Sequence, residues 1–261
     1  MALPILRMAE RKKAKLRIWL AWPSGSGKTY SWLLLARWLT DSWGKVCIID
    51  TENWSGELYS DLGWYNAITL KEFYPSKYIE AIKACEEAWM EVIVIDSITH
   101  EWKYLLDQVE KITQASASKN SYTAWAKITP HHDLFIQALL QSNCHIIATV
   151  RSKQDYDMSK DSSGKTKVQK VGMKQETRDG FEYELTVSFD IDTSHQATAG
   201  KDRTWLFSHE IGWFQISEET WKKLKEWNES WVDVDLDQEE KEYLAKEVDV
   251  TDLIPDNHLQ K

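Results

Sequence analysis

A short segment rich in glycine and serine has the composition and spacing of a phosphate-binding loop. Residues 22–29 read WPSGSGKT and fit the pattern G-x-x-x-x-G-K-[ST] at seven of eight positions, with tryptophan in place of the first glycine. In such loops backbone N–H groups surround the phosphates at a helix N-terminus, a lysine reaches the β- and γ-phosphates, and a hydroxyl binds Mg²⁺. The residues that the pattern assigns to ATP and Mg²⁺ are Pro23, Ser24, Gly25, Ser26, Gly27, Lys28, Thr29 and Tyr30.

Acidic residues at the ends of two apolar runs could complete a site for hydrolysis. Asp96 ends the run VIVID, where a carboxylate would hold Mg²⁺ together with Thr29. Glu52 follows the run CIID, and a carboxylate there could polarise the water that attacks the γ-phosphate. An ordinary loop or capping acid is the alternative for Glu52. Glu101 is the rival base, but its spacing from Asp96 places it in the next helix.

The elements that must position these residues alternate between apolar strands and helices. Strands are predicted over 15–22, 45–50, 67–70, 91–97 and 145–152, and helices over 28–40, 75–89, 100–113, 129–142 and 217–227. This alternation predicts an α/β fold of the P-loop NTPase kind, with a central, mostly parallel sheet flanked by helices. The strand, loop and helix around residues 15–40 are the setting that a phosphate-binding loop requires.

Two later segments have other patterns. Residues 153–180 are polar and charged, which predicts a mobile loop or a hairpin. Residues 182–192 and 196–207 alternate between apolar and polar side chains, which predicts antiparallel edge strands toward the C-terminus.

Charge divides the chain into three parts. Residues 232–261 carry ten acids and three bases, whereas the whole chain has a net charge of −9. We therefore expect a basic N-terminal segment at 1–14, an ATPase domain at 15–231 and an acidic, flexible tail at 232–261. Within the domain, residues 151–178 hold eight bases and four acids. Such a patch could bind nucleic acid, and a solvated loop is the alternative.

Composition indicates the compartment. The sequence has no apolar run of 18 residues, so no membrane span or membrane partner is expected. The basic N-terminus lacks the apolar core of a signal peptide. Cys47, Cys85 and Cys144 are far apart and have apolar neighbours, which is typical of buried thiols in a reducing cytoplasm.

Tryptophan is unusually frequent, with fifteen residues against ten glycines. Several stand where glycine is usual, such as the first loop position and the turns that follow helices. One interpretation is that UGA codons for glycine have been read as tryptophan, and a genuinely tryptophan-rich core is the alternative. The candidate positions are Trp19, Trp22, Trp38, Trp43, Trp54, Trp64, Trp89, Trp205, Trp221 and Trp231.

Together the motifs resemble a known family. LAWPSGSGKT, CIIDTEN, VIVIDSITHEW, HIIATVRSKQDY and KDRT occur in the order found in RecA-type P-loop ATPases. Over roughly residues 15–230 the chain is similar to phage-encoded AAA-family ATP-binding proteins related to single-strand-annealing recombinases. The resemblance implies that Glu52 is the catalytic base. It also implies that Thr149 to Arg151 sense the γ-phosphate, and that Lys201 and Arg203 enter a neighbouring subunit's ATP site.

The function expected from the motifs and the resemblance is hydrolysis of Mg-ATP, in a ring or filament assembled on single-stranded DNA during phage recombination or annealing. The host cytoplasm is the expected location. The alternative is a nucleotide-switched regulatory or assembly ATPase that acts on a protein partner without DNA. DNA-stimulated hydrolysis would favour the first.

Overall fold

The computed structural model describes residues 15–23, 28–52, 56–160, 166–178, 184–207 and 212–230; the side chains of Lys28 and of 154–173 are not described. The chain divides into two units, and the first of them is Lys15–Asn228. The predicted basic segment and acidic tail lie outside the described residues, and the fold below is that of the first unit.

The described residues of this unit contain eight strands. They are β1 (Arg17–Trp22), β2 (Val46–Asp50), β3 (Asn66–Thr69), β4 (Val92–Asp96), β5 (His145–Lys160), β6 (Thr166–Gln175), β7 (Val187–Ile191) and β8 (Ala197–Asp202). The sheet order is β3-β2-β4-β5-β1-β7-β8, and β6 pairs with the outer part of β5. All neighbours from β3 to β7 are parallel, which confirms the mostly parallel central sheet.

The described residues also contain five α-helices, four of which pack on the two faces of the sheet. They are α1 (Lys28–Leu39), α2 (Pro75–Glu87), α3 (Thr99–Ala115), α4 (Ser121–Gln141) and α5 (Glu218–Glu229). Side chains of α1 and α5 join one buried apolar cluster, and those of α2 and α4 join the other. Along β4, Val92 and Val94 face the first cluster while Ile93 and Ile95 face the second. This two-sided burial explains why the strands are apolar throughout.

Helix α4 begins earlier than the expected residue 129. The side chain of Asn120 accepts the backbone N–H of Tyr122 at 2.9 Å and caps the new start. The helix continues through Pro130, which the sequence pattern placed at a helix start. Each half of α4 has a buried residue, Ala124 in the first and Phe135 in the second, and Phe135 belongs to an apolar cluster with the sheet.

The two later segments both form strands. Within segment 153–180 the described residues form a hairpin pair, because β5 runs far beyond the sheet and β6 pairs antiparallel with it. Strands β7 and β8 are antiparallel to each other as predicted, but β7 also pairs in parallel with β1 and is therefore not an edge strand. Only β8 adds an antiparallel strand to this side of the central sheet.

The tryptophan positions differ in backbone conformation. Trp89 has φ 57° and Trp205 has φ 61°, in the left-handed region where glycine is favoured, and both side chains are exposed, at 79% and 74%. Trp43 does not have the expected left-handed φ, because it opens a short 3₁₀ turn, Trp43–Lys45. Trp54 and Trp231 lie outside the described residues.

The other candidate tryptophans lie either in the buried core of the domain or on its surface. Trp19, Trp22 and Trp221 are buried, Trp38 is half-buried and Trp64 is exposed. The indole N–H of Trp19 donates to Gln175 Oε1 at 2.9 Å. Trp221 Nε1, by contrast, is buried without a hydrogen-bond partner among the described residues. The candidate tryptophans therefore differ from one another in burial, hydrogen bonding and backbone conformation.

Candidate active site

Most of the predicted site residues lie at one edge of the sheet. The parallel strands β1, β2 and β4 end there, and β5 passes the same edge, so the residues that they carry lie at neighbouring positions. Asp50 pairs in register with Asp96, and Trp22 pairs with Arg151. The start of the phosphate-binding loop, the second acidic motif and the proposed sensor strand therefore share this edge.

The loop itself is described only at its ends. Pro23 is half-buried after β1, and α1 begins at Lys28, whose side chain is not described. Thr29 is buried and Tyr30 is exposed in the first turn of α1. The predicted contacts of Ser24, Gly25, Ser26 and Gly27 lie outside the described residues. The strand before the loop and the helix after it are as the motif requires.

Trp22, at the first position of the motif, points into the interior. Its side chain is buried in the apolar cluster formed by β1 and α1, together with Trp32 and Leu35. A bulky indole can therefore occupy this position without lying in the loop itself.

Asp96 is held by the neighbouring strand. Thr149 Oγ1 donates to Asp96 Oδ1 at 2.7 Å, and neither residue is exposed. A buried carboxylate in a hydrogen bond of this kind has a fixed orientation. Thr149, predicted as a γ-phosphate sensor, is thus in direct contact with the predicted metal carboxylate.

Glu52 and Arg151 form an ion pair. Arg151 Nη2 lies 2.8 Å from Glu52 Oε1, and Arg151 Nε donates to the same oxygen at 2.9 Å. The Glu52 side chain is mostly buried, whereas that of Arg151 is 41% exposed. The pair joins the residue after β2 to a residue on β5, across the intervening β4.

Three further residues position this pair, and the sequence motifs had given them no role. Asp50 Oδ1 accepts the backbone N–H of Glu52 at 2.7 Å, and Thr99 Oγ1 accepts that of Arg151 at 2.9 Å. Thr51 Oγ1 accepts the backbone N–H of Ser97 at 2.8 Å, which ties the ends of β2 and β4 together. The available signal was their place directly after apolar strands, in CIIDTEN and VIVIDSIT.

The oxygen donors at this edge fit a magnesium ion. Mg²⁺ prefers hydroxyl, carboxylate and phosphate oxygens, and Thr29 and Asp96 provide the first two kinds. Beside Asp96, Ser97 Oγ is buried and has no hydrogen-bond partner within the described ranges. A polar group of this kind requires a water or a ligand to be satisfied.

Glu101 is not placed to act as the base. It lies in the first turn of α3, as its spacing predicted, but its carboxylate is buried against α4, where Oε1 is 3.0 Å from His132 Nδ1. Burial raises the pKa of Glu101, and the bond to His132 opposes that shift. Glu101 is therefore part of the α3–α4 packing.

Lys201 and Arg203 are not brought to the same edge. Lys201 pairs with Ser188 near the start of β7, and the Arg203 N–H donates to Thr186 O before that strand. Because β7 is parallel to β1, its start lies at the opposite edge of the sheet from Glu52. The Arg203 side chain is half-exposed and 4.0 Å from Glu184. Within one chain these cations are remote from the site.

No helix in the described ranges is long and apolar enough to cross a membrane.

The comparisons with known proteins agree with the geometry of the site. A search of curated proteins finds no match to the chain. A family model described as an AAA domain matches residues 14–215, which include the loop, Glu52, Asp96 and Arg151. With a parallel sheet, a phosphate-binding loop after β1 and most of its length matched, the chain belongs to the AAA-type family of P-loop ATPases.

Proposed function

We propose that this protein is a RecA-like ATPase that hydrolyses Mg-ATP and assembles on single-stranded DNA in phage recombination or annealing. One observation carries the catalytic part of the proposal. The ends of β2 and β4 and the adjacent part of β5 bring Glu52, Asp96, Thr149 and Arg151 into adjoining polar contacts, at the edge where β1 ends. The AAA domain match supports nucleotide binding and hydrolysis in general.

Each residue has a defined role in this proposal. Lys28 contacts the β- and γ-phosphates, and Thr29 and Asp96 hold Mg²⁺, which neutralises charge on the phosphates when bound. Thr149 keeps the Asp96 carboxylate oriented. Glu52 orients the attacking water and accepts its proton, and Arg151 contacts the γ-phosphate.

The Glu52–Arg151 pair gives this mechanism an order of events. A guanidinium on Oε1 competes with water for that oxygen, so Glu52 is not free to act while the pair persists. A γ-phosphate attracts the same guanidinium. Because the Arg151 backbone is fixed to Thr99, its side chain can move to the phosphate without displacing β5. Phosphate binding then frees Glu52 for the water.

The position of the remaining cations supports the proposed assembly. Lys201 and Arg203 lie at the opposite edge of the sheet, so they could contact a γ-phosphate only in a neighbouring protomer. A cation provided by a neighbour makes hydrolysis depend on a ring or filament. The DNA part is supported by the basic composition of residues 151–178, and the recombination role by the resemblance to phage proteins.

The test is the ATPase rate with and without single-stranded DNA, for the full chain and for Glu52→Gln. The variant is expected to bind ATP normally and to lose about 10²-fold or more in kcat, because general-base catalysis contributes that much. Glu87→Gln, an exposed acid on α2, is the matched control. Hydrolysis by Glu52→Gln at the wild-type rate would contradict the assigned base. Hydrolysis without DNA stimulation or DNA binding would support a regulatory ATPase that acts on a protein partner.

A further inference from the structure

The cleft beside the β5–β6 hairpin combines positive charge with an aromatic wall. It encloses about 630 Å³ between α3 and the base of the hairpin. Four of the lining residues are cations, although the chain as a whole carries a net charge of −9. These cations are Lys103, Lys153, Lys174 and Arg178. Glu176 is the one acid among the lining residues.

An indole forms part of the same wall. Trp102 lines the cleft and stacks on Trp125 behind it, with ring centroids 5.5 Å apart and an interplanar angle of 25°. The second ring fixes the orientation of the first. A groove of cations with a fixed aromatic surface is the arrangement that binds phosphates and stacks bases of a single strand. The hairpin segment by itself offers few aromatics, and α3 provides this one.

Two of the four cations of the cleft are paired with Glu176, and Arg178 Nη1 lies 3.1 Å from Asp133 Oδ1. The Glu176 carboxylate is 3.0 Å from Lys103 Nζ and 3.7 Å from Lys153 Nζ. The backbone N–H of Glu176 donates to Arg151 O at 2.7 Å. One residue thus joins the cleft to the arginine that pairs with Glu52.

We infer that the cleft lined by Trp102, Lys103 and Arg178 binds the backbone and a base of single-stranded DNA, and that Glu176 competes with the DNA phosphates for Lys103 and Lys153. The inference rests on the proposed function, since it names where the proposed DNA partner binds. Phosphates entering the cleft release Glu176 from the lysines. The backbone N–H of Glu176 is hydrogen-bonded to the carbonyl oxygen of Arg151. DNA binding in the cleft is therefore linked to the Glu52–Arg151 ion pair through this backbone hydrogen bond.

The experiment measures binding of a fluorescent oligothymidylate to the full chain by anisotropy over a salt series. Lys103→Ala with Arg178→Ala is expected to weaken binding at least tenfold and to reduce the salt slope by about 0.7 for each lost phosphate contact. Lys222→Ala, an exposed lysine on α5, is the control and should leave both values unchanged. Trp102→Leu should weaken binding without changing the slope, and Trp102→Phe should restore it.

The variant Glu176→Gln distinguishes loss of a DNA contact from loss of folding, because it is expected to strengthen DNA binding. Removing the competing carboxylate is expected to raise DNA affinity severalfold and to steepen the salt slope, which a misfolded variant cannot do. If the Lys103 and Arg178 variant binds oligothymidylate as tightly as the wild type does, the cleft is not the DNA site. The proposed function would then still stand. No oligothymidylate binding by the wild type would overturn the proposed DNA role itself. A further outcome is that inorganic polyphosphate displaces oligothymidylate as well as unlabelled oligothymidylate does, with Trp102→Leu having no effect on binding. That result would show that the cleft binds polyanions in general and would overturn its assignment to DNA.

Discussion

Arg151 contacts Glu52 through two nitrogens that share one carboxylate oxygen, at 2.8 Å and 2.9 Å. The residues are ninety-nine positions apart in the chain. They meet because β2, β4 and β5 are parallel neighbours, so that Glu52, just after β2, lies close to Arg151 within β5. Two residues to which the resemblance assigns different roles, base and γ-phosphate sensor, are therefore bound to each other.

The first prediction concerns this ion pair. Arg151→Ala is expected to lower kcat by about 10²-fold, because one charge that stabilises the transition state is lost while Glu52 is kept. Arg151→Lys should recover part of the loss, since the positive charge remains without the two-nitrogen contact. Steady-state ATPase measurements test this, with Arg37→Ala as an exposed control on α1. A faster Arg151→Ala enzyme would show that the pair only inhibits.

The second prediction concerns Lys201 and Arg203. A double change to alanine and the change Glu52→Gln should each lower kcat by about 10²-fold or more when the variant is assayed alone. Mixing the two proteins should restore up to about a quarter of the wild-type rate, because that share of random heterologous interfaces joins an intact site to intact cations. ATPase titration of one variant into the other is the measurement. Absence of any recovery in mixed assemblies contradicts action between protomers.

The third prediction concerns Trp22. Trp22→Gly is expected to raise ATP affinity by about tenfold or more, which is about 1.4 kcal/mol, because the motif requires glycine at this position. The same change removes a buried side chain and should lower the free energy of unfolding by about 3 kcal/mol. Fluorescent-nucleotide titration and urea unfolding measure the two effects separately. An unchanged nucleotide affinity would mean that this loop does not need the glycine.

The fourth prediction concerns Trp89 and Trp205. Replacing either by glycine should raise the free energy of unfolding by about 1 kcal/mol, because a left-handed φ is strained for any residue with a Cβ. Both side chains are exposed, so little burial is lost. Trp213→Gly is the matched control, since Trp213 is 73% exposed and its φ is not positive. Equal effects at all three positions would rule out backbone strain as the cause.

Reading the gene tests the related interpretation directly. UGA codons at Trp22, Trp43 and Trp89 are expected if glycines have been read as tryptophans. UGG codons there would contradict it. The left-handed φ angles of Trp89 and Trp205 support the interpretation at those two positions, whereas the paired indole of Trp19 does not.

The fifth prediction concerns pH. Burial raises the pKa of Glu101 above its ordinary value of 4.5, so the folded state binds this proton more tightly than the unfolded state. The contribution of Glu101 to the free energy of unfolding therefore falls as the pH rises through and above 4.5. Glu101→Gln does not titrate and can still bond to His132, so the variant should gain stability relative to the wild type toward neutral pH. Urea unfolding at several pH values measures this, with Glu110→Gln as an exposed control. A difference that does not vary with pH would contradict it.

Much of the fold follows from local pattern. The strands around Ile18, Ile48 and Val94 are apolar on both faces, and such runs between helices have few alternatives to a covered parallel sheet. The pattern could not show that β7 pairs with β1, because alternation along one strand does not specify its neighbour. The start of α4 was missed because Asn120 caps a helix whose first turns carry little periodicity.

The sequence by itself determined the chemistry of the candidate site: a phosphate-binding motif ending in Lys28 and Thr29, and acids that follow apolar strands. Residue types and short spacings encode these features, because a loop and its helix are adjacent in the chain. Only the tertiary structure decided that Arg151 binds Glu52, that Thr149 orients Asp96 and that Arg203 lies at the far edge. Those relationships depend on strand order and direction, which arise from packing between segments far apart in sequence.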